Sequence, residues 1–227
     1  MARKASRPPQ TRRAKPTGDV QTRTRLLNVA AELFAERGFA RVTVRDICKQ
    51  ARANIAAVNY HFGGKEGLYT AVMRKAIDIM QATTTEAESA GRGQPAAERL
   101  RAYVSVFLMR MLGEDHASWI HQLMLRELSD PTPALDMVAT DVLKPRTAYL
   151  CGIISELIAC PPTSPVVLRC AMSVQGQFNS LLWSQAVTRM IHVAEMPVPT
   201  LDEITEHVTQ FSLGGVELIR QQKRAAG

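Results

Sequence analysis

Two helices too short to stand alone, set three or four residues apart and marked by caps, most constrain what this chain can fold into. Thr43-Val-Arg-Asp46 puts an acid three residues after a Thr, the spacing of a capping box, and opens a short helix holding Ile47 and Cys48. Asn54 is the N-cap of the next, whose apolar set Ala51, Ile55, Val58 and Phe62 recurs at three and four residues until Gly63-Gly64 breaks it. Helices of about two turns are marginal in water, so longer neighbours must hold them. Such neighbours are present. Leu26, Leu27, Ala30, Leu33 and Phe34 form one face of a preceding helix, with Arg25, Asn28, Glu32, Glu36 and Arg37 opposite and Gly38 as its stop. A following amphipathic helix runs from about Lys65 through Leu68, Val72, Ala76 and Met80.

Beyond this group of four helices, Thr83 to Pro95 is small and polar and reads as a loop or helix end. Gly113, the DPTP at 130–133, Pro145, the CPPTSP at 160–165 and the MPVP at 196–199 punctuate the rest of the chain. They leave helical stretches near 96–112, 115–129, 134–159, 165–193 and 200–222, with no period-two strand and no internal repeat. The fold expected is all-α, about nine helices in two domains, over 21–82 and 83–227. Residues 1–20 carry almost nothing apolar and are expected to be a disordered arm.

Charge separates the same parts. The chain has 28 Lys and Arg against 21 Asp and Glu, but residues 1–75 hold 16 basic and 5 acidic side chains and the remainder 12 and 16. A basic end on a mildly acidic body suggests that the N-terminal part meets a polyanion, with nucleic acid the first candidate and an anionic membrane surface the second. No run of about 18 apolar residues occurs, so a membrane-spanning helix is not expected. A surface-membrane helix is disfavoured too, because the basic residues follow no amphipathic pattern. Cys48, Cys151, Cys160 and Cys170 form no CxxC pair and sit in apolar settings, as buried reduced thiols do; with no apolar run after the basic start, a cytoplasmic location is expected. No GxSxG, HExxH, GxGxxG or P-loop pattern appears, and Glu114, Asp115, His116 and His121 lack metal-ligand spacing, so neither an enzyme, a cofactor nor a metal is expected.

Two short helices joined by a tight turn are the helix-turn-helix arrangement, whose second helix enters the major groove. On that helix Ala56 and Ala57 are small enough for close approach, Asn59 can pair with an adenine edge or a phosphate, and Tyr60 and His61 can donate to phosphates, while Val58 and Phe62 point inward. Arg45 and Arg52 add positive charge beside them. The run Ala51-x-x-Asn54-x-x-x-Val58-x-Tyr60-x-Phe62-x-x-Lys65-x-x-Leu68, after Thr43-Val-Arg-Asp-Ile47 and the helix ending in Gly38-Phe39, resembles the DNA-binding domain of the TetR family over residues 22 to about 80. The resemblance implies that Thr43 contacts a phosphate, that Asn54 to His61 form the recognition helix, and that Lys65 meets a phosphate at the start of the fourth helix. Arg52 departs from it, standing in the turn where most of the family has Gly. The arm, with Arg3, Lys4, Arg7, Arg12, Arg13 and Lys15, either follows the phosphates or a minor groove or is a solvated tail.

The resemblance also implies a C-terminal domain that dimerises and encloses a small-molecule pocket. Thr200-x-x-Glu203 opens the last helix, and Ile204, Val208, Phe211, Gly215 and Leu218 recur in it at heptad-like spacing. The helix near 165–193 is apolar on more than one side, so these two helices are expected to pair with their symmetry mates in a homodimer. Candidate pocket residues are Phe107, Met111, Trp119, His121, Gln122 and Met124, facing Met172, Gln175, Phe178, Asn179 and Trp183. The run from His121 to Glu127 with Asp130-Pro-Thr-Pro-Ala134 resembles the CecR/YbiH branch of the family. The expected function is a regulator, in the repressor sense, that leaves a palindromic double-stranded operator when a small-molecule effector binds. The alternative is an architectural DNA binder that needs no ligand.

Overall fold

The computed structural model describes residues 18–112, 118–190 and 199–226, with the side chains of Ser118, Asn179, 182–190 and Ala226 outside that description. The arm side chains Arg3 to Lys15 and the punctuation at 113–117 and 191–198 therefore lie outside the described residues. Within them the chain is helical, with no strand, and divides into two compact units between Val72 and Met73.

The first unit holds α1 (Gly18–Arg37), α2 (Val44–Ala51), α3 (Ile55–Phe62) and the start of α4 (Lys65–Ala90). The expected stripe of α1 is its buried face: Leu26, Ala30, Leu33 and Phe34 are enclosed with Ile47, Val58 and Leu68. Phe34 meets Tyr69 edge-on at 4.9 Å, and Tyr69 also packs on Phe39 at 4.8 Å. The first helix begins earlier than the expected arm boundary, because the Thr22 and Thr24 hydroxyls donate back to the Gly18 and Val20 carbonyls at 2.8 and 2.9 Å. The turn from α3 into α4 needs glycine at three places, Gly64 among them with φ 124°. Gly63 caps α3 in the left-handed region (φ 73°), and a Cβ at Gly67 would lie 1.8 Å from the Phe62 carbonyl oxygen.

The second unit holds the rest of α4, then α5 (Ala96–Leu112), α6 (Ser118–Ser129), α7 (Ala134–Val138), α8 (Lys144–Ile158), α9 (Pro165–Met190) and α10 (Leu201–Ala226). Two differences from the sequence expectation have local causes. The segment from Thr83 continues α4 to Ala90, because the Thr83 and Thr84 hydroxyls bond the Ile79 and Met80 carbonyls and Ala87 is buried in the core. The stretch 134–159 is interrupted by a π-helical turn, Ala139–Leu143, just before Pro145, whose ring and missing N–H disfavour a regular α-turn. It stays continuous, however, so the described chain makes nine helical rods, the number expected.

The core of this unit comes from α5, α8, α9 and α10, with Leu100, Tyr103, Val104 and Leu108 against Leu150, Ile153, Ile154, Val167, Ala171 and Val174. Ion pairs tie α5 to its neighbours, Arg99 to Glu156 at 2.7 Å and Arg101 to Glu206. Gln177 donates to the Ser212 hydroxyl at 2.9 Å between α9 and α10. Glu127, buried at the end of α6, accepts from the Thr132 backbone N–H and hydroxyl at 3.2 and 3.1 Å, and Thr132 caps the Ala134 N–H. The motif from His121 to Ala134 thus includes a lock on the α6–α7 turn. All four cysteines are free thiols; burial raises the pKa of Cys48, Cys151 and Cys170.

Candidate functional site

In the first unit the turn between the short helices is built entirely from short-range chemistry. Thr43 Oγ1 accepts from the Asp46 N–H at 3.2 Å, while Asp46 accepts from the Thr43 hydroxyl at 2.6 Å and its N–H at 3.0 Å. Those bonds, the hydroxyl's first, hold the Asp46 carboxyl below the usual range. Arg52 ends α2 in the left-handed region (φ 48°, ψ 50°), the conformation for which glycine is preferred. Asn54 caps α3 by accepting from the Ala56 N–H at 3.0 Å, so its carbonyl oxygen is committed to the helix start.

With that geometry, α3 buries Val58 and half-buries Phe62 beneath the Arg23 guanidinium at 5.2 Å. Ala56, Asn59 and Tyr60, spaced three and one apart, form an exposed row, Tyr60 being 78% exposed, with Ala57 half-buried beside it. Thr43, Arg45 and Arg52 are also exposed. Lys65, first residue of α4, lays its ammonium 4.3 Å from the Phe39 ring centre. His61 departs from the expectation of a phosphate donor. It follows Val58 by three residues and shares its inward face, so its side chain is only 7% exposed, with Nε2 3.4 Å from Asp19 of α1. Asp19 was missed because nothing local links it to α3.

In the second unit the structure brings together only part of the candidate pocket. Phe107 and Phe178 are buried, their rings stacked at 6.0 Å, and Tyr103 lies against both at 4.4 and 6.1 Å. Gln175 donates weakly to the Tyr103 hydroxyl at 3.5 Å, and burial pushes that phenol up to about 12. Met111 is half-buried against the same core. Trp119, His121 and Met124 are half-buried on α6, where burial lowers the His121 pKa and the Lys75 ammonium stands 5.6 Å from the Trp119 ring. Gln122 and Met172 are exposed and do not face the core: each lies beside, not on, the inward rows Leu123–Glu127 and Ala171–Val174. The side chains of Asn179 and Trp183 lie outside the described residues. The residue missed is Arg146. It heads the apolar stripe Leu150, Ile153, Ile154 of α8, where a cation is the signal, and its guanidinium lies 4.5 Å from the Phe107 ring centre.

Comparison with known proteins places both units. Residues 26–72 match the family described as bacterial regulatory proteins, tetR family, and residues 96–216 match the C-terminal domain of the HTH-type transcriptional dual regulator CecR. CecR of Shigella flexneri is 31% identical over 150 residues, 62% of this chain and 66% of that protein. The HTH-type transcriptional repressor Rv3405c of Mycobacterium tuberculosis is 41% identical over 68 residues, 30% of this chain and 36% of its own length. The match thus spans just under two thirds of the first relative and about a third of the second. A TetR-like transcriptional regulator from Rhodococcus sp. RHA1 shares the fold, with TM-score 0.61 at 17% identity over 86% of this chain and 95% of that one. Among the described residues no helix is long and apolar enough to cross a membrane. The first match ends at Val72, where the first unit ends, and the second covers more than half of the chain: the chain belongs to the TetR family, with a CecR-type C-terminal domain.

Proposed function

We propose that the chain acts as a homodimeric repressor that reads a palindromic operator through α3 and leaves it when a small-molecule effector binds the helical unit. The observation that carries this reading is the exposed row Ala56, Asn59 and Tyr60 on a helix whose other side is fixed by Val58, Phe62 and His61. Residues 21–82 supply the reader and 83–227 the dimer contact and pocket. Leu168 and Met172 on α9 and Phe211 and Leu218 on α10 are large apolar side chains exposed in the single chain, Phe211 at 67%. Their burial against a second copy is the economical account. Two recognition helices about 34 to 36 Å apart then read two half-sites. An effector weakens binding only if it prefers one arrangement of the dimer to the other.

The test is selection of bound duplexes from a random pool, with anisotropy on the selected site. A palindrome preferred by about 10³ or more over random duplex supports the reading, and equal affinity for any duplex overturns it in favour of an architectural binder. Light scattering at micromolar concentration tests the dimer, which Phe211→Arg should disrupt.

A further inference from the structure

The helical unit holds a cation that its own carboxylates do not answer. Arg146 is half-buried on α8, where Nη2 donates to the Met80 carbonyl at 3.2 Å, Nε reaches the Thr84 hydroxyl at a long 3.4 Å, and the guanidinium lies over Phe107. Burial pulls its pKa down. Among the described residues no Asp or Glu pairs with it; Glu86 pairs instead with Arg110 at 2.9 Å, Asp141 with Arg74 at 3.5 Å, Glu156 with Arg99 and Glu206 with Arg101. A guanidinium among apolar neighbours is unfavourable unless an anion meets it.

The Met80 carbonyl already accepts from the Thr84 hydroxyl at 3.2 Å and lies within α4, so removing Arg146 strands no acceptor. Of the five N–H groups of an arginine, those on Nη1 have no acceptor among the described residues. The guanidinium lies over the Phe107 ring, which packs in turn against Tyr103 and Phe178, and the Gln175 amide reaches the Tyr103 hydroxyl.

We propose that Arg146 is the anion anchor of the effector site, and that the effector is a small monocarboxylate whose apolar body lies against Phe107 and Phe178. The planar fork matches a carboxylate with two parallel hydrogen bonds. One negative charge neutralises one cation, whereas a phosphate dianion would leave net charge among three aromatic rings. The inference rests on reading the helical unit as effector-binding.

The experiment compares acids with their uncharged amides on the full chain by calorimetry: decanoate with decanamide, and phenylacetate with phenylacetamide. At least one acid should bind about 10-fold or more tighter than its amide, and Arg146→Gln should erase that difference. Arg146→Lys, which keeps the charge without the fork, should retain only part of it, and serves if the Gln variant does not fold. Without ligand, Arg146→Gln should melt close to the wild type while losing the rise in melting temperature that the acid brings. Equal binding of acid and amide, an acid preference that survives Arg146→Gln, or no binding by either acid overturns the anchor. DNA release is read separately: an acid that binds through Arg146 and leaves the DNA complex intact keeps the anchor and defeats effector control.

Discussion

On the proposed function the two units solve opposite recognition problems, and the difference explains why one is readable from local pattern. The first offers an exposed row of side chains, Ala56, Asn59 and Tyr60, on an eight-residue helix whose two cap bonds span two and four residues. The second gathers Tyr103, Phe107, Arg146, Gln175 and Phe178 from α5, α8 and α9, residues up to 75 apart in sequence. A surface for a polymer is set by which face a helix leaves outside. A pocket for a small molecule exists only after tertiary packing has chosen its members.

The largest expected effect tests whether the units are separable. Phe34 is fully buried and packed edge-on against Tyr69, so Phe34→Ala should cost about 3 to 5 kcal/mol, comparable to the whole stability of a small domain. Urea unfolding followed by circular dichroism should then show the first unit lost and DNA binding abolished, with the helical unit's transition unmoved. A matching shift of both transitions would break the comparison.

Next in size are the readers. Asn59→Ala and Tyr60→Ala should each weaken binding to the selected site by about 1 to 3 kcal/mol at unchanged melting temperature. His61→Ala should instead lower the melting temperature, because it removes a side chain packed inward beside Asp19. If all three variants change affinity alone, the inward placement of His61 is wrong.

Those residues also show where sequence reasoning stops. Both capping boxes and the Asn54 cap were legible because each is a contact over two or three residues, and the inner face of α1 was legible from its spacing. His61 could have been placed by counting three residues on from Val58, but its partner on α1 could not. The extension of α4 past Thr83 depends on Ala87 finding the core, and the π-helical turn on how the chain accommodates Pro145. Arg146 was visible as a cation on an apolar stripe, yet nothing local says which ring it covers or that no carboxylate meets it.

The caps offer a smaller effect that should be alike in both units. Thr43→Val and Thr200→Val each remove a hydroxyl that accepts from the third helical N–H, and each should cost about 1 kcal/mol on its own unit's transition. Their acids add a pH dependence. Hydrogen bonds from Thr43, its hydroxyl first, lower the Asp46 pKa, and those from Thr200, its N–H first, lower that of Glu203. A carboxyl depressed in the folded state stabilises above its unfolded pKa of about 4, and that contribution is lost as pH falls through the folded value. Melting temperatures should therefore decline below about pH 4, less steeply in Asp46→Asn and Glu203→Gln; identical slopes would remove the caps from the account.

The smallest effect concerns the turn, where the two demands on the first unit meet in one residue. Arg52 takes up a left-handed conformation that costs a side-chain-bearing residue roughly 1 to 2 kcal/mol, yet it places a cation beside the exposed row of α3. Arg52→Gly relieves that strain but returns about 0.5 to 1 kcal/mol through the freer unfolded chain, so the net gain in urea should be no more than about 1 kcal/mol. Affinity for the selected site should fall at low salt, and the slope of log affinity against log salt should become shallower by about 0.9 if Arg52 neutralises one phosphate. A gain in stability with an unchanged salt slope would make the residue a tolerated strain with no part in binding. A shallower slope would mean that the strain is retained because the charge is used.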